Sequence, residues 1–140
     1  AHTPDALNNV LLTIDNLRTK NEQLITVLGC GGNRDREKRP KMASIATSYS
    51  DKVILTSDNP RFESPEKILD DMMNGVSPVY HKRVMRVTDR REAIRVACNL
   101  ANKTDVILVA GKGHEDYQEI QGKRVHFDDK KILTQMLSKS

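Results

Sequence analysis

The chain has 140 residues and a net charge of +4, which fits one domain with a sizeable core and excludes neither an enzyme nor a small-molecule binder. The modest charge, with no Trp, two Phe and three Tyr, argues against a nucleic-acid surface, which wants a larger positive excess and rings for bases to stack on. Two cysteines, Cys30 and Cys98, cannot form a disulfide framework, and no apolar run approaches the ~20 residues of a membrane span, so a reduced, cytoplasmic setting is expected.

The opening Ala1-His2-Thr3-Pro4, without an initiator Met, is expected of a piece of a longer protein. Thr3-Pro4-Asp5 reads as a helix start, with Thr3 as cap and Pro4 at the first position. Ala6, Val10, Ile14 and Leu17 recur at helical spacing, flanked by Leu7 and Leu11, and the helix is predicted to fade near Lys20-Asn21. Leu24 to Leu28 is a β-rich run and predicts a strand. Gly29-Cys30-Gly31-Gly32-Asn33-Arg34 follows it, then Asp35-Arg36-Glu37-Lys38-Arg39-Pro40. Glycines directly after a strand let backbone amides approach a ligand, and the basic residues favour an anion. The alternative is a glycine turn followed by a solvated charge run. The segment matches neither the P-loop nor the dinucleotide fingerprint, since Arg34 stands where the third glycine belongs.

Pro40 to Tyr49 reads as a helix with Met42, Ile45 and Ala46 inward, and Val53-Ile54-Leu55 as a buried strand. Thr56-Ser57-Asp58-Asn59-Pro60-Arg61 then leads to a helix opened by Ser64 as cap and Pro65 at the first position. Pro60 stiffens this loop and keeps Asn59 out of helical conformations. An anion, an amide and a guanidinium on one stiff loop suit a zwitterionic ligand; an Asx turn with a solvated Arg is the other reading. Ile68, Leu69, Met72 and Met73 predict core, and Asn74-Gly75 a helix stop. Val84 to Val87 is a weaker strand. Asp89 can cap a helix carrying Ala93, Ile94, Ala97 and Leu100, while Arg86, Arg90, Arg91 and Arg95 read as solvated. Val106 to Ala110 is the most continuous apolar run and predicts a central parallel strand. Gly111-Lys112-Gly113-His114-Glu115-Asp116 follows it, then a hairpin over residues 117–127 and a last helix holding Ile132, Leu133, Met136 and Leu137. The scattered His2, His81, His114 and His126 give no metal-ligand spacing. His114 beside Glu115 suits acid/base work or the ordering of its own loop.

The alternation of helices and strands predicts an α/β, Rossmann-like, mostly parallel sheet flanked by helices, with a C-terminal β-hairpin. In such a sheet the loops at the strands' carboxyl ends share one edge. Arg34 and Arg61 would then face carboxylates or phosphates, and Asp58 and Glu115 an ammonium group. Two cations and two anions around one cleft fit an amino acid.

At these loops the sequence resembles the Mur ligases of peptidoglycan synthesis, most closely the C-terminal domain of the type that adds the third residue of the stem peptide. The matching stretches are Ala1 to Asp5, Gly29 to Asp35 with Lys38-Arg39-Pro40, Asp58-Asn59-Pro60-Arg61 and Ala110 to Gln118, in the family's order. The resemblance implies one domain, residues 1–140, of a larger three-domain enzyme. It implies amide-bond formation between a D-glutamyl carboxylate, activated as an acyl phosphate, and an incoming amino acid, with ATP and Mg2+ held mainly by a central domain. Carried over residue by residue, Arg34, Asp58, Asn59, Pro60, Arg61, Gly111 and Glu115 bind meso-diaminopimelate, and His2 lies in a hinge segment near the nucleotide. No residue of this chain is implied to be catalytic. UDP-N-acetylmuramoyl-dipeptide is the implied co-substrate, with no nucleic-acid or membrane partner. A lysine-adding or folylpolyglutamate-type ligase domain, or a stand-alone module for an anionic metabolite, are the alternatives. Without a P-loop, the 140 residues alone are expected not to catalyse ligation.

Overall fold

A computed structural model describes residues 3–30, 36–57 and 63–110, and the backbone of residues 117–120 and 123–126. The first helix, α1 (Pro4–Leu17), starts as its sequence dictates: the Thr3 side chain accepts the Ala6 N–H at 3.2 Å. Its buried stripe is Leu7, Leu11 and Ile14. Leu17, expected on that stripe, is 52% exposed because the helix ends there.

Strands β1 (Leu24–Cys30), β2 (Lys52–Ser57), β3 (Val84–Arg86) and β4 (Val106–Ala110) alternate with helices α2 (Lys38–Tyr49), α3 (Pro65–Met73) and α4 (Arg90–Leu100). A 3-10 helix, Pro78–Arg83, leads into β3 and had no counterpart in the sequence reading. Strands β5 (Tyr117–Ile120) and β6 (Lys123–His126) form the expected antiparallel hairpin. The sheet runs β3-β2-β1-β4-β6-β5, with β1 to β4 parallel and β6 parallel to β4. The last helix expected from the sequence falls outside the described residues.

Every residue of β1 and β4 is buried, the condition that makes a parallel strand a continuous apolar run. Alternation assigns their side chains to two faces. Leu24, Leu28, Val53, Leu55, Val106 and Leu108 join α1, α2 and α3 in one core. Ile25, Val27, Ile54, Ile107 and Val109 pack with α4 in the other. Cys30 and Cys98 are buried, as expected.

The opposite, amino end of the sheet is fixed by hydrogen bonds to carboxylates. Asp51 accepts the Leu24 N–H at 2.8 Å and pairs with Arg18. Asp105, 3% exposed, accepts the Gln23 N–H at 3.0 Å and the Asn102 N–H at 2.9 Å. Burial pushes the Asp51 carboxyl up, but the Leu24 amide and the Arg18 guanidinium outweigh it and hold that carboxyl below the ordinary range.

Helix α2 begins at Lys38, two residues before Pro40. Proline is tolerated in this first turn because its missing N–H would have had no partner within the helix. Helices α2 and α3 meet closely where Gly75 follows α3. A Cβ at Gly75 would stand 1.8 Å from the Pro40 carbonyl oxygen, so any side chain there must push backbone away. Gly75→Ala should lower stability by about 1–3 kcal/mol or more, as overpacking does; denaturant unfolding of both proteins measures it, and equal midpoints would refute the close approach.

Candidate functional site

The chain runs out along β1, β2 and β3 on one side, then returns through α4 to β4 on the other side of β1. The direction of strand order therefore reverses between β1 and β4, the position where open α/β sheets bind ligands beyond the carboxyl ends of their strands. In the paired register Cys30 lies opposite Ser57 and Leu28 opposite Ala110. The carboxyl ends of three adjacent strands thus form one edge. The three segments singled out from the sequence follow directly from those ends.

Arg34, Asp58, Asn59, Pro60, Arg61, Gly111 and Glu115, and also His2, lie outside the described residues. What the structure describes is the framework on either side of those segments. Before residue 58, the Thr88 carbonyl oxygen accepts the Thr56 hydroxyl and the Ser57 hydroxyl, each at 3.0 Å. The Thr88 hydroxyl donates to Glu66 at 2.6 Å, tying the end of β2 to the first turn of α3. Ser64 takes the cap position of α3, but its side chain makes no cap hydrogen bond; its carbonyl oxygen accepts from the Lys67 and Ile68 amides instead.

After residue 62 stands a charged cluster that overturns one expectation. Arg39, read from the sequence as part of a ligand-facing or solvated basic run, is 1% exposed. Its Nη2 donates to Glu63 Oε1 at 2.7 Å and its Nη1 to Glu63 Oε2 at 3.0 Å, a two-pronged fork. Nη1 also donates to Asp71 Oδ2 at 2.8 Å. Asp71 in turn accepts from Arg36 Nε at 3.1 Å. The cause is helical geometry. With α2 starting at Lys38, Arg39 falls three, four and seven residues before the buried Met42, Ala43 and Ala46, on the inward face. The spacing was the available signal; placing the helix start at Pro40 concealed it. Arg86 and Arg95, read as solvated, are exposed as expected and form surface pairs with Asp70 at 2.9 Å and Glu92 at 2.7 Å.

Glu63 above all, with Asp71 assisting and burial opposing, raises the Arg39 pKa. Arg36 first, and Arg39 after it, outweigh burial and hold the Asp71 carboxyl below its ordinary value of 3.8. A depressed folded-state pKa means that the unfolded chain binds the extra proton, so this stability is present above the ordinary value and disappears as pH falls through the folded one. Asp71→Asn should therefore lower stability at pH 7 and flatten its decline below about pH 4; thermal melting from pH 7 to pH 2 checks this, and parallel curves would show that Asp71 gains nothing from its ion pairs.

Among the described residues no group of three or more His, Cys, Asp or Glu could hold a metal ion. Glu63 and Asp71, beside the site edge, are committed to guanidiniums. No described helix is long and apolar enough to cross a membrane.

A family profile described as "Mur ligase, glutamate ligase domain" matches residues 1–113. The chain belongs to the Mur ligase family. Among curated Mur ligase relatives, a protein of Cytophaga hutchinsonii is 60% identical over 137 residues, and one of Aquifex aeolicus 50% identical over 137 residues. Both are named UDP-N-acetylmuramoyl-L-alanyl-D-glutamate–2,6-diaminopimelate ligase, and each alignment covers 98% of this chain but 28% of the relative. The chain thus spans little more than a quarter of the curated relatives it matches. A solved structure of a ligase with that name superposes with a TM-score of 0.74 at 48% identity, over 99% of this chain and 28% of the other. A folylpolyglutamate synthase from Thermotoga maritima, at 21% identity and a TM-score of 0.54 over 79% of this chain and 23% of its own, shares the fold alone. The Rossmann-like reading of the sequence and its Mur ligase resemblance are both borne out.

Proposed function

We propose that the chain is the C-terminal, amino-acid-binding domain of a larger three-domain ligase that joins meso-diaminopimelate to UDP-N-acetylmuramoyl-L-alanyl-D-glutamate in the cytoplasm, for peptidoglycan synthesis. ATP and Mg2+ would be held outside the described residues. The observation that carries the reading is the edge shared by Cys30, Ser57 and Ala110, from which the segments bearing Arg34, Asp58 to Arg61, and Gly111 to Glu115 depart. Identity of 50–60% to proteins named for diaminopimelate supports the choice of amino acid.

The chemistry of the segments fits that substrate. Meso-diaminopimelate differs from lysine by a carboxylate on its distal carbon, and Arg61 would grip that carboxylate with its planar fork. Arg34 supplies a second cation, and Asn59 a neutral amide. Asp58 or Glu115 would hold the distal ammonium, leaving the reacting amine to lose its proton before attack. Gly111 lets the backbone approach the ligand, and Pro60 limits the conformations of the segment between Asn59 and Arg61. Lysine would leave the Arg61 guanidinium desolvated without its anion, at about 2–5 kcal/mol, which is enough to set substrate choice. His2 is proposed to lie near the nucleotide.

In the full-length protein, Arg61→Ala should reduce kcat/KM for meso-diaminopimelate by roughly thirtyfold or more, the kinetic equivalent of about 2 kcal/mol. Initial-rate kinetics with each substrate varied in turn measure this, with the KM for ATP as the internal control. An unchanged KM for the amino acid would remove Arg61 from the pocket and the proposal with it.

A further inference from the structure

The Arg39 cluster joins two places that the sequence keeps far apart. Arg36 is the first described residue after segment 31–35, and Glu63 the first after segment 58–62. Both belong to one chain of ion pairs: Glu63 is forked by Arg39, Arg39 also donates to Asp71, and Asp71 accepts from Arg36. The two guanidiniums and two carboxylates of these pairs balance in charge. Its Arg39 guanidinium is sunk between α2 and α3, with the side chain 2% exposed. Gly75 and Pro40 bring those helices into backbone contact just beside it.

We propose that Arg39 is a positioning residue for the amino-acid substrate. By holding Glu63 with two hydrogen bonds, and Arg36 through Asp71, it fixes where the segments bearing Arg61 and Arg34 re-enter the helical layer. One buried guanidinium thereby holds the first described residue after each arginine-bearing segment, Glu63 directly and Arg36 through Asp71. A lysine at position 39 would keep the charge and lose the fork, because an ammonium cannot present two parallel N–H groups in a fixed plane. This inference rests on the reading that Arg34 and Arg61 grip the amino acid.

The test uses three variants of the full-length protein: Arg39→Lys, Glu63→Gln and Arg61→Ala. Arg39→Lys and Glu63→Gln should each lower kcat/KM for meso-diaminopimelate by roughly tenfold to a hundredfold, the scale of a small misplacement of binding groups. The KM values for ATP and the UDP-linked dipeptide should stay within about twofold, because positioning of one substrate's groups leaves the others' binding intact. Discrimination against lysine should weaken in the same variants, which loss of folded protein alone cannot produce. Combining the two changes should cost less than the product of the single effects, since both break the same fork. If Arg61→Ala impairs amino-acid use but Arg39→Lys and Glu63→Gln leave it unchanged, or lower use of all substrates alike, the positioning role is refuted and the site reading stands. If Arg61→Ala itself leaves amino-acid use unchanged, the site reading falls and takes this inference with it. Should Arg39→Lys fail to fold, Glu63→Gln carries the same comparison, as it leaves the Arg39–Asp71 pair in place.

Discussion

Strand β1 is the constraint on which the architecture depends. It is buried along its whole length and pairs with β2 on one edge and β4 on the other. A buried strand must satisfy its backbone donors and acceptors within the sheet, since unpaired groups away from water are costly. That requirement leaves little freedom in register, and the alternating side chains reinforce it. A slip of one residue would turn Leu24, Thr26 and Leu28 toward α4 and break both cores at once. Because β1 sits at the switch point, the alignment that satisfies its backbone also aligns the strand ends from which the candidate ligand-binding segments depart. Packing and the geometry of the candidate site are one constraint at this strand.

Polar groups act at the two ends of the sheet in different ways. At the amino end, Asp51 and Asp105 accept backbone amides and set where β1 begins, with Arg18 bound to Asp51 and to the Tyr49 carbonyl oxygen at 3.1 Å. These are local stops between elements already adjacent in space. At the carboxyl end, Thr88 holds the exit of β2 and the Arg39 cluster holds the start of the helical layer. The segment from 58 to 62 is therefore bracketed by fixed points, one from the sheet and one from α2. Bracketing of this kind is what a binding group needs when it must present a guanidinium at a set distance from another.

The legibility of the sequence follows the physics of each element. Strands β1, β2 and β4 could be read because strands buried on both faces must be apolar without interruption. The edge strand β3 was weak in the sequence because only one side is paired: Met85 is 44% exposed and Arg86 reaches out to Asp70. The caps at Thr3 and Asp89 were legible because their short polar side chains bond amides three residues on. The Arg39 cluster was not legible, since its partners Glu63 and Asp71 lie 24 and 32 residues away. A basic run such as Arg36-Glu37-Lys38-Arg39 carries no mark of which member turns inward until the helix start is fixed. The candidate ligand-binding residues were read from motifs and lie outside the described residues, next to the strand ends that the structure does describe.

Stability alone is a poor reason for a guanidinium to lie between α2 and α3. Removing two charges from water costs several kcal/mol per ion, and well-packed apolar side chains of similar volume often replace a buried ion pair without loss. Met42, Ala43 and Ala46 already show that this helix face can pack with apolar groups. An apolar residue at position 39 would fill the same space, yet it would exert no directional hold of its own on Glu63. A forked pair differs in that both oxygens are engaged in one plane, so a rotation of either group breaks two hydrogen bonds together. The fork therefore specifies an orientation where packing would specify only a distance. Orientation would matter most immediately after Arg61 under the proposed role for that residue, because a guanidinium gripping a carboxylate edge-on with two in-plane N–H groups tolerates displacement poorly. Under the proposed positioning role, what the buried charge adds over an apolar side chain is the direction it imposes on the chain.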